Sequence, residues 1–204
     1  MSDAVYPSLQ GRLVVVTGGG SGIGAGVVEA FARQGARVVF FDVAEAESRA
    51  LEASLAHLDP APVFLWCDLT RIEALQTALK DVAARFGAVE VLINNAASDD
   101  RHALAEVTPA YWDERIAVNL RHLYFAAQSV APAMREQGRG VILNLGSISW
   151  HLGLPDLSIY ETAKAGIEGM TRALARELGA DGVRVACIVP GNVKTPRQMK
   201  WYTP

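Results

Sequence analysis

Cysteine is almost absent from this chain. Its 204 residues include two, Cys67 and Cys187, far apart in sequence. That pair excludes a disulfide framework and a zinc site, so no metal is expected and a reducing, cytoplasmic setting is. Long apolar runs are missing too, and none would span a bilayer. The opening "MSDAVYPSLQG" has no basic region leading into an apolar stretch, so it does not read as a signal peptide. There is no basic block: 19 basic against 22 acidic residues give a formal net charge of -3. Such a chain carries no electrostatic footprint for nucleic acid. Repeats, low-complexity tracts and linkers are also lacking. Hydrophobic residues are plentiful, at 50%, enough to bury a substantial core in one domain over 1–204.

The apolar residues fall into six short runs: "RLVVVT" (12–17), "ARVVFFD" (36–42), "PVFLW" (62–66), "VEVLI" (89–93), "GVILNL" (140–145) and "VRVACIV" (183–189). They show no polar alternation, as in strands buried on both faces. Helical patterns separate them at 23–34, 45–58, 71–86, 109–137 and 157–179. Thr108 and Pro109 suit a cap and first helical position, and Pro132 is expected to bend or shorten its helix. This alternation predicts an α/β fold, a doubly wound parallel sheet with helices on both faces. Ligands of such sheets bind outside the carboxyl ends of the strands. "TGGGSGIG", "FDV", "WCDLT", "NNAAS", "NLGSIS" and "VPGNVKT" all stand there.

"TGGGSGIG" (17–24) joins the first strand to the first helix. Gly18, Gly22 and Gly24 let the backbone approach a pyrophosphate, and the helix start offers N–H groups to its charge. Asp42 ends the second strand, where a carboxylate accepts from a ribose diol and repels a 2′-phosphate. Positions 21 and 43 are serine and valine, not cations, so NAD is favoured over NADP. Asp68 is placed to accept from an adenine amino group, to cap the helix beginning near Arg71, or to do both.

Tyr160 and Lys164 are four residues apart in a helical pattern and share a face. The ammonium is expected to lower the phenol's pKa, as would a cationic nicotinamide, making Tyr160 a general base. Ser147 ends the fifth strand, with its hydroxyl available to the same crevice.

Taken in order, "TGGGSGIG", Asp42, "CDL", "NNAAS", Asn119 in "VNL", Ser147, "YETAK" and "PGNVKT" resemble the classical short-chain dehydrogenases/reductases over essentially the whole chain. The resemblance implies a Rossmann-type fold, a nicotinamide cofactor and the catalytic set Asn119, Ser147, Tyr160 and Lys164, with Asn119 holding a water that links Lys164 to solvent. It further implies cofactor contacts from Ser21, Ile23, Val43, Leu69, Asn95, Ala96 and Ala97. Pro190, Gly191, Val193 and Thr195 would lie against the nicotinamide. Ala97 departs from the family's usual glycine and is expected to narrow the cleft. A homo-oligomer, dimer or tetramer, is implied as well. "SISWHLGLPDLSIYETAKAGIEGM" and "PGNVKTPRQMKWYTP" look most like the NAD-dependent branch that oxidises D-xylose at C1.

The residues expected around the substrate suit a sugar. Asp99, Asp100 and Arg101, then Ser147, Ser149, Trp150, His151 and Tyr160, then Asn192, offer polar groups for vicinal hydroxyls, with the Trp150 face against a pyranose. The expected reaction is oxidation of an aldose at its anomeric carbon to the lactone. A serine hydrolase is disfavoured by the missing nucleophile elbow, with His151 the only base near Ser147. A non-catalytic nucleotide sensor tends to lack the tyrosine or lysine present here. By the resemblance a helical lid and a seventh strand would follow "PGNVKT". Their apparent absence leads to the expectation of a truncated or incomplete chain with weak or no activity, its sixth strand an open edge.

Overall fold

The computed structural model describes residues 4–199. Six parallel strands form one sheet: β1 (Leu13–Thr17), β2 (Arg37–Asp42), β3 (Val63–Trp66), β4 (Val91–Asn94), β5 (Gly140–Leu145) and β6 (Val183–Ile188). Their order is β3-β2-β1-β4-β5-β6, so the strand order switches sides between β1 and β4. Thr17 pairs with Phe41 on one side and Asn94 on the other, which brings three strand ends level.

The apolar runs are explained by two separate cores. Leu13 and Val15 point into one with α3 (Ile72–Phe86), α5 (His122–Glu136) and α7 (Ser158–Leu178). Val14 and Val16 point into the other with α1 (Gly22–Arg33) and the end of α2 (Glu45–Ser54). Each fully buried valine or leucine contributes about 1.5–3 kcal/mol. At β6 the pattern changes to alternation, with Val183 and Val185 inward and Arg184 and Ala186 exposed. Among the described residues its outer edge carries no further strand.

Three local expectations change. The helical pattern over 45–58 ends at Ser54 because Leu55 turns into the core, 3% exposed. The segment 109–137 is not one helix. Thr108 caps α4 (Pro109–Ile116) by accepting from Tyr111 N–H, and a π-helical turn (Ala117–Arg121) separates it from α5. Pro132 does not shorten α5, which runs on to Glu136 with Val130, Ala131 and Met134 buried around it. The terminal "KWYTP" (200–204) lies outside the described residues.

A buried polar ladder ties α7 to the sheet. Asn94 donates to Asn144 at 2.9 Å, and Asn144 donates to Thr171 of α7 at 2.9 Å. An unpaired amide here would be costly, so the ladder sets the height of α7, and with it Tyr160 and Lys164.

Candidate active site

A cleft of about 1120 Å³ opens at the carboxyl ends of the strands, beside the switch in strand order. Its first wall is the glycine turn. Gly18 has φ of 65°, and a Cβ there would lie 2.6 Å from Ala96 Cα. A Cβ on Gly24 would run into the Gly18 carbonyl oxygen. Asn95 locks this turn to β4 by donating to the carbonyls of Gly18 at 2.7 Å and Thr17 at 3.1 Å. The N–H groups of Gly18 and Gly19 are spent on the Phe41 carbonyl, and Ser21 to Gly24, the cap and first turn of α1, line the cleft.

Asp42 stands beside the turn. One carboxylate oxygen accepts from Gly20 N–H at 2.8 Å, and the other from Val43 and Ala44 N–H at 2.8 and 3.0 Å. Three backbone bonds hold it as a rigid acceptor. Asp68 accepts from Thr70 N–H and hydroxyl at 3.0 and 2.7 Å, while the α3 cap position is Arg71. Of its two expected roles, helix capping is therefore replaced by ordering the turn ahead of α3. Ser21, Gly22, Ile23, Val43, Leu69, Ala96, Ala97, Pro190, Gly191, Val193 and Thr195 line the same cleft.

Ser147, Tyr160 and Lys164 line the same cleft, with Ser147 hydrogen-bonded to the Tyr160 phenol. Ser149 donates to the Ser147 hydroxyl from its own hydroxyl at 2.9 Å and its N–H at 3.2 Å. Lys164, 2% exposed, donates to the Leu145 carbonyl at 2.7 Å, with Nζ 5.3 Å from the Tyr160 ring centre. Burial lowers its pKa to about 8. The expectation that Lys164 lowers the phenol's pKa needs correction. Burial is the largest influence and holds Tyr160 above the ordinary range, with Asp99 adding to the rise; Ser147 and Arg197 pull it down. The tuning groups thus include partners far from the Tyr-x-x-x-Lys spacing.

Three expected site residues, Asn119, Trp150 and His151, stand outside the cleft. Asn119 is fully buried on the π-helical turn; its amide accepts from Ser98 N–H at 2.8 Å and donates to Ser98 O at 3.0 Å. It fixes the loop after β4. Trp150 lies on the short helix α6 (Ser149–Leu152) and is not among the cleft's lining residues. Its indole donates to Glu168 at 2.6 Å and its ring stacks on His151 at 3.8 Å. A sugar-stacking role does not fit that orientation. His151 also meets Glu168, at 3.0 Å, rather than serving Ser147 as a base.

The substrate end combines Asp99, Asp100, Arg101, Ser149 and Asn192 with Ile148, Leu152, Leu154 and Leu157. The apolar members were not expected. Nor were Arg115 of α4 and Arg197 of α8 (Pro196–Met199), which hold Asp99 and Asp100 from two sides. His122 was missed as well: it is fully buried, its Nε2 faces the carbonyls of Ala96 and Val118, and burial lowers its pKa to about 4. Its position at a π-helix exit has no sequence signature.

Comparison with known proteins places this geometry. The family model described as short chain dehydrogenase matches residues 12–204. A D-xylose 1-dehydrogenase of Caulobacter vibrioides is 65% identical over 204 residues, 100% of this chain and 81% of that protein. A probable galactose dehydrogenase of Rhizobium meliloti is 52% identical over 205 residues, covering 100% of this chain and 80% of that one. The crystal structure of a putative short-chain alcohol dehydrogenase from Sinorhizobium meliloti 1021 superposes with a TM-score of 0.87 at 30% identity, over 94% of this chain and 79% of that one.

Proposed function

The chain belongs to the short-chain dehydrogenase family, and on that premise we propose that it oxidises a cyclic aldose, D-xylose above others, at C1 with NAD. The gathering of Ser147, Tyr160 and Lys164 in one cleft, with Asp99 lining it too, carries this reading. Tyr160 takes the proton of the C1 hydroxyl, and Ser147 holds that oxygen by a hydrogen bond. Ser149, bonded to Ser147, keeps its hydroxyl oriented. Asp99, Ser149 and Asn192 offer partners to the remaining hydroxyls. The product is the aldonolactone, which hydrolyses to the acid. The 65% identity to a D-xylose 1-dehydrogenase supports this substrate.

The cleft suits a dinucleotide. The glycine turn is folded tightly against Ala96 and onto itself, where a Cβ at Gly18 or Gly24 would collide, so the start of α1 lies at the cleft, and the Asp42 carboxylate is held beside it. The nicotinamide supplies the acceptor for the hydride from C1. Residues Gly18, Asp42, Asn95 and the 190–195 segment would hold the cofactor. The Asp42 carboxylate, with Ser21 and Val43 beside the cleft and no cation at either position, supports NAD over NADP. In the same reading Asn119 orders a water near Lys164. The scarcity of cysteine, Cys67 and Cys187 far apart in sequence, supports a cytoplasmic setting, and exposed Trp112 and Tyr124 a homo-oligomer.

Initial rates on a panel of pentoses, hexoses and secondary alcohols, each with NAD and NADP, test the reading. D-xylose with NAD is expected to give the highest kcat/KM. A secondary alcohol preferred over every aldose, or NADP over NAD, contradicts it.

A further inference from the structure

The loop after β4 carries two adjacent carboxylates, and guanidinium groups hold them from opposite sides. Behind the loop, Arg115 donates to Asp100 at 2.6 Å and to the Ser98 hydroxyl at 3.2 Å. Arg115 is 9% exposed, so this side is fixed to the body of the protein. In front, Arg197 of α8 meets Asp99 Oδ1 at 2.6 Å, Asp100 Oδ1 at 2.7 Å and the Ser98 hydroxyl at 3.1 Å. Gln198 adds a bond to Asp99 Oδ2 at 3.1 Å. The helix α8 has no buried residue. Hydrophobic packing therefore does not seat it; these charge-assisted bonds do.

Asp99, Asp100 and Arg197 line the same cleft as Tyr160 and Lys164. Asp99 pushes the Tyr160 phenol up and Arg197 pushes it down. Asp99 also favours the charged form of Lys164. The other groups facing this pair are Ser147 after β5, Cys187 of β6 beside Lys164, and His122 of α5, whose imidazole is neutral.

We propose that Arg197 is a positioning residue for the reaction: docked on Asp99 and Asp100, it latches α8 across the substrate end of the cleft and cancels the carboxylate charge that faces Tyr160. The proposal rests on Tyr160 being the base. Opening the latch leaves Asp99 uncompensated, so the phenol ionises at higher pH. Closing it restores the base once substrate is covered.

The test is the pH profile of kcat/KM for the wild type, Arg197→Gln, Arg197→Lys and the double variant Arg197→Gln with Asp99→Asn. Arg197→Gln is expected to move the acid-limb midpoint upward by about half a pH unit or more. It is also expected to raise the sugar KM about tenfold, with less effect on the NAD KM. Arg197→Lys restores the midpoint but not the whole KM, because a point charge neutralises without bridging both carboxylates. The double variant returns the midpoint towards wild type. Arg197 is exposed, and thermal melts of the set keep the comparison to folded protein. An unshifted midpoint in Arg197→Gln, or an equal shift in the double variant, overturns the proposal. Tyr160→Phe serves as the control. If it stays active, the base assignment itself falls; if it is inactive while Arg197→Gln is unshifted, only the latch falls.

Discussion

Lys164 donates to the main-chain carbonyl of Leu145, at 2.7 Å, across the junction between α7 and the end of β5. That bond gives a buried ammonium a direct protein acceptor and holds it 5.3 Å from the Tyr160 ring centre. It also ties the helix that carries the base to the strand that leads to Ser147. The active-site wall is therefore one rigid unit, made at the cost of burying a cation.

That cost is measurable. Burial lowers the Lys164 pKa from 10.5 to about 8. Between those values the unfolded chain binds the extra proton, so stability rises with pH through that window. Lys164→Met is expected to be more stable than wild type at pH 7, by about 1–3 kcal/mol, with the gain vanishing above the unfolded lysine's pKa. Its turnover should fall about 10²–10⁴-fold. Denaturant unfolding at pH 7 and pH 10.5 checks the first part and steady-state rates the second.

His122 gives the opposite limb. Its folded pKa is lowered to about 4 from 6.5. The unfolded chain binds more protons between these values, so stability is lost as pH falls from about 6.5 towards 4. The loss at the bottom of the window is about 3 kcal/mol. His122→Asn should flatten this dependence, read by urea unfolding at several pH values. An unchanged slope would place the acid sensitivity elsewhere.

Asp42→Ala should erode discrimination against NADP, because it removes both the ribose acceptor and the negative charge. The ratio of kcat/KM for the two cofactors reports this. A fall of about tenfold or more is expected; an unchanged ratio would make Asp42 only a support for the turn at Gly20.

Trp150 was expected to stack on the sugar, and the structure turns it to Glu168. Trp150→Phe should accordingly lower stability by about 1 kcal/mol, through the lost indole hydrogen bond while His151 stays on the Glu168 carboxylate, and leave the sugar KM close to wild type. Thermal unfolding beside sugar titration separates the two. A large KM rise at unchanged stability would return the ring to the substrate.

The strands and the cleft were legible because both leave short-range marks. Double-sided burial makes runs such as "RLVVVT", and a backbone that must meet phosphate needs "TGGGSGIG". The Tyr160–Lys164 pairing was legible from helical spacing. The Asn94–Asn144–Thr171 ladder was not, since each residue alone reads as an ordinary polar residue in an apolar setting. The π-helical turn at Asn119 was hidden within an uninterrupted helical pattern. Arg115 and Arg197 escaped for a different reason. Arg115 reaches Asp100 from α4, 15 positions on, and Arg197 reaches Asp99 and Asp100 from α8, nearly a hundred positions on; neither separation is a helical or strand spacing that the local sequence marks.

The central claim is that hydride leaves C1 of an aldose while Tyr160 takes the hydroxyl proton. Turnover of D-xylose carrying deuterium at C1, followed by NMR of the recovered nucleotide, tests it most directly. The account predicts reduced NAD bearing one deuterium on the nicotinamide ring, formed alongside xylonolactone, and none of it with Tyr160→Phe. Reduced nucleotide without deuterium, no reduction at all, or full label transfer by Tyr160→Phe would contradict it.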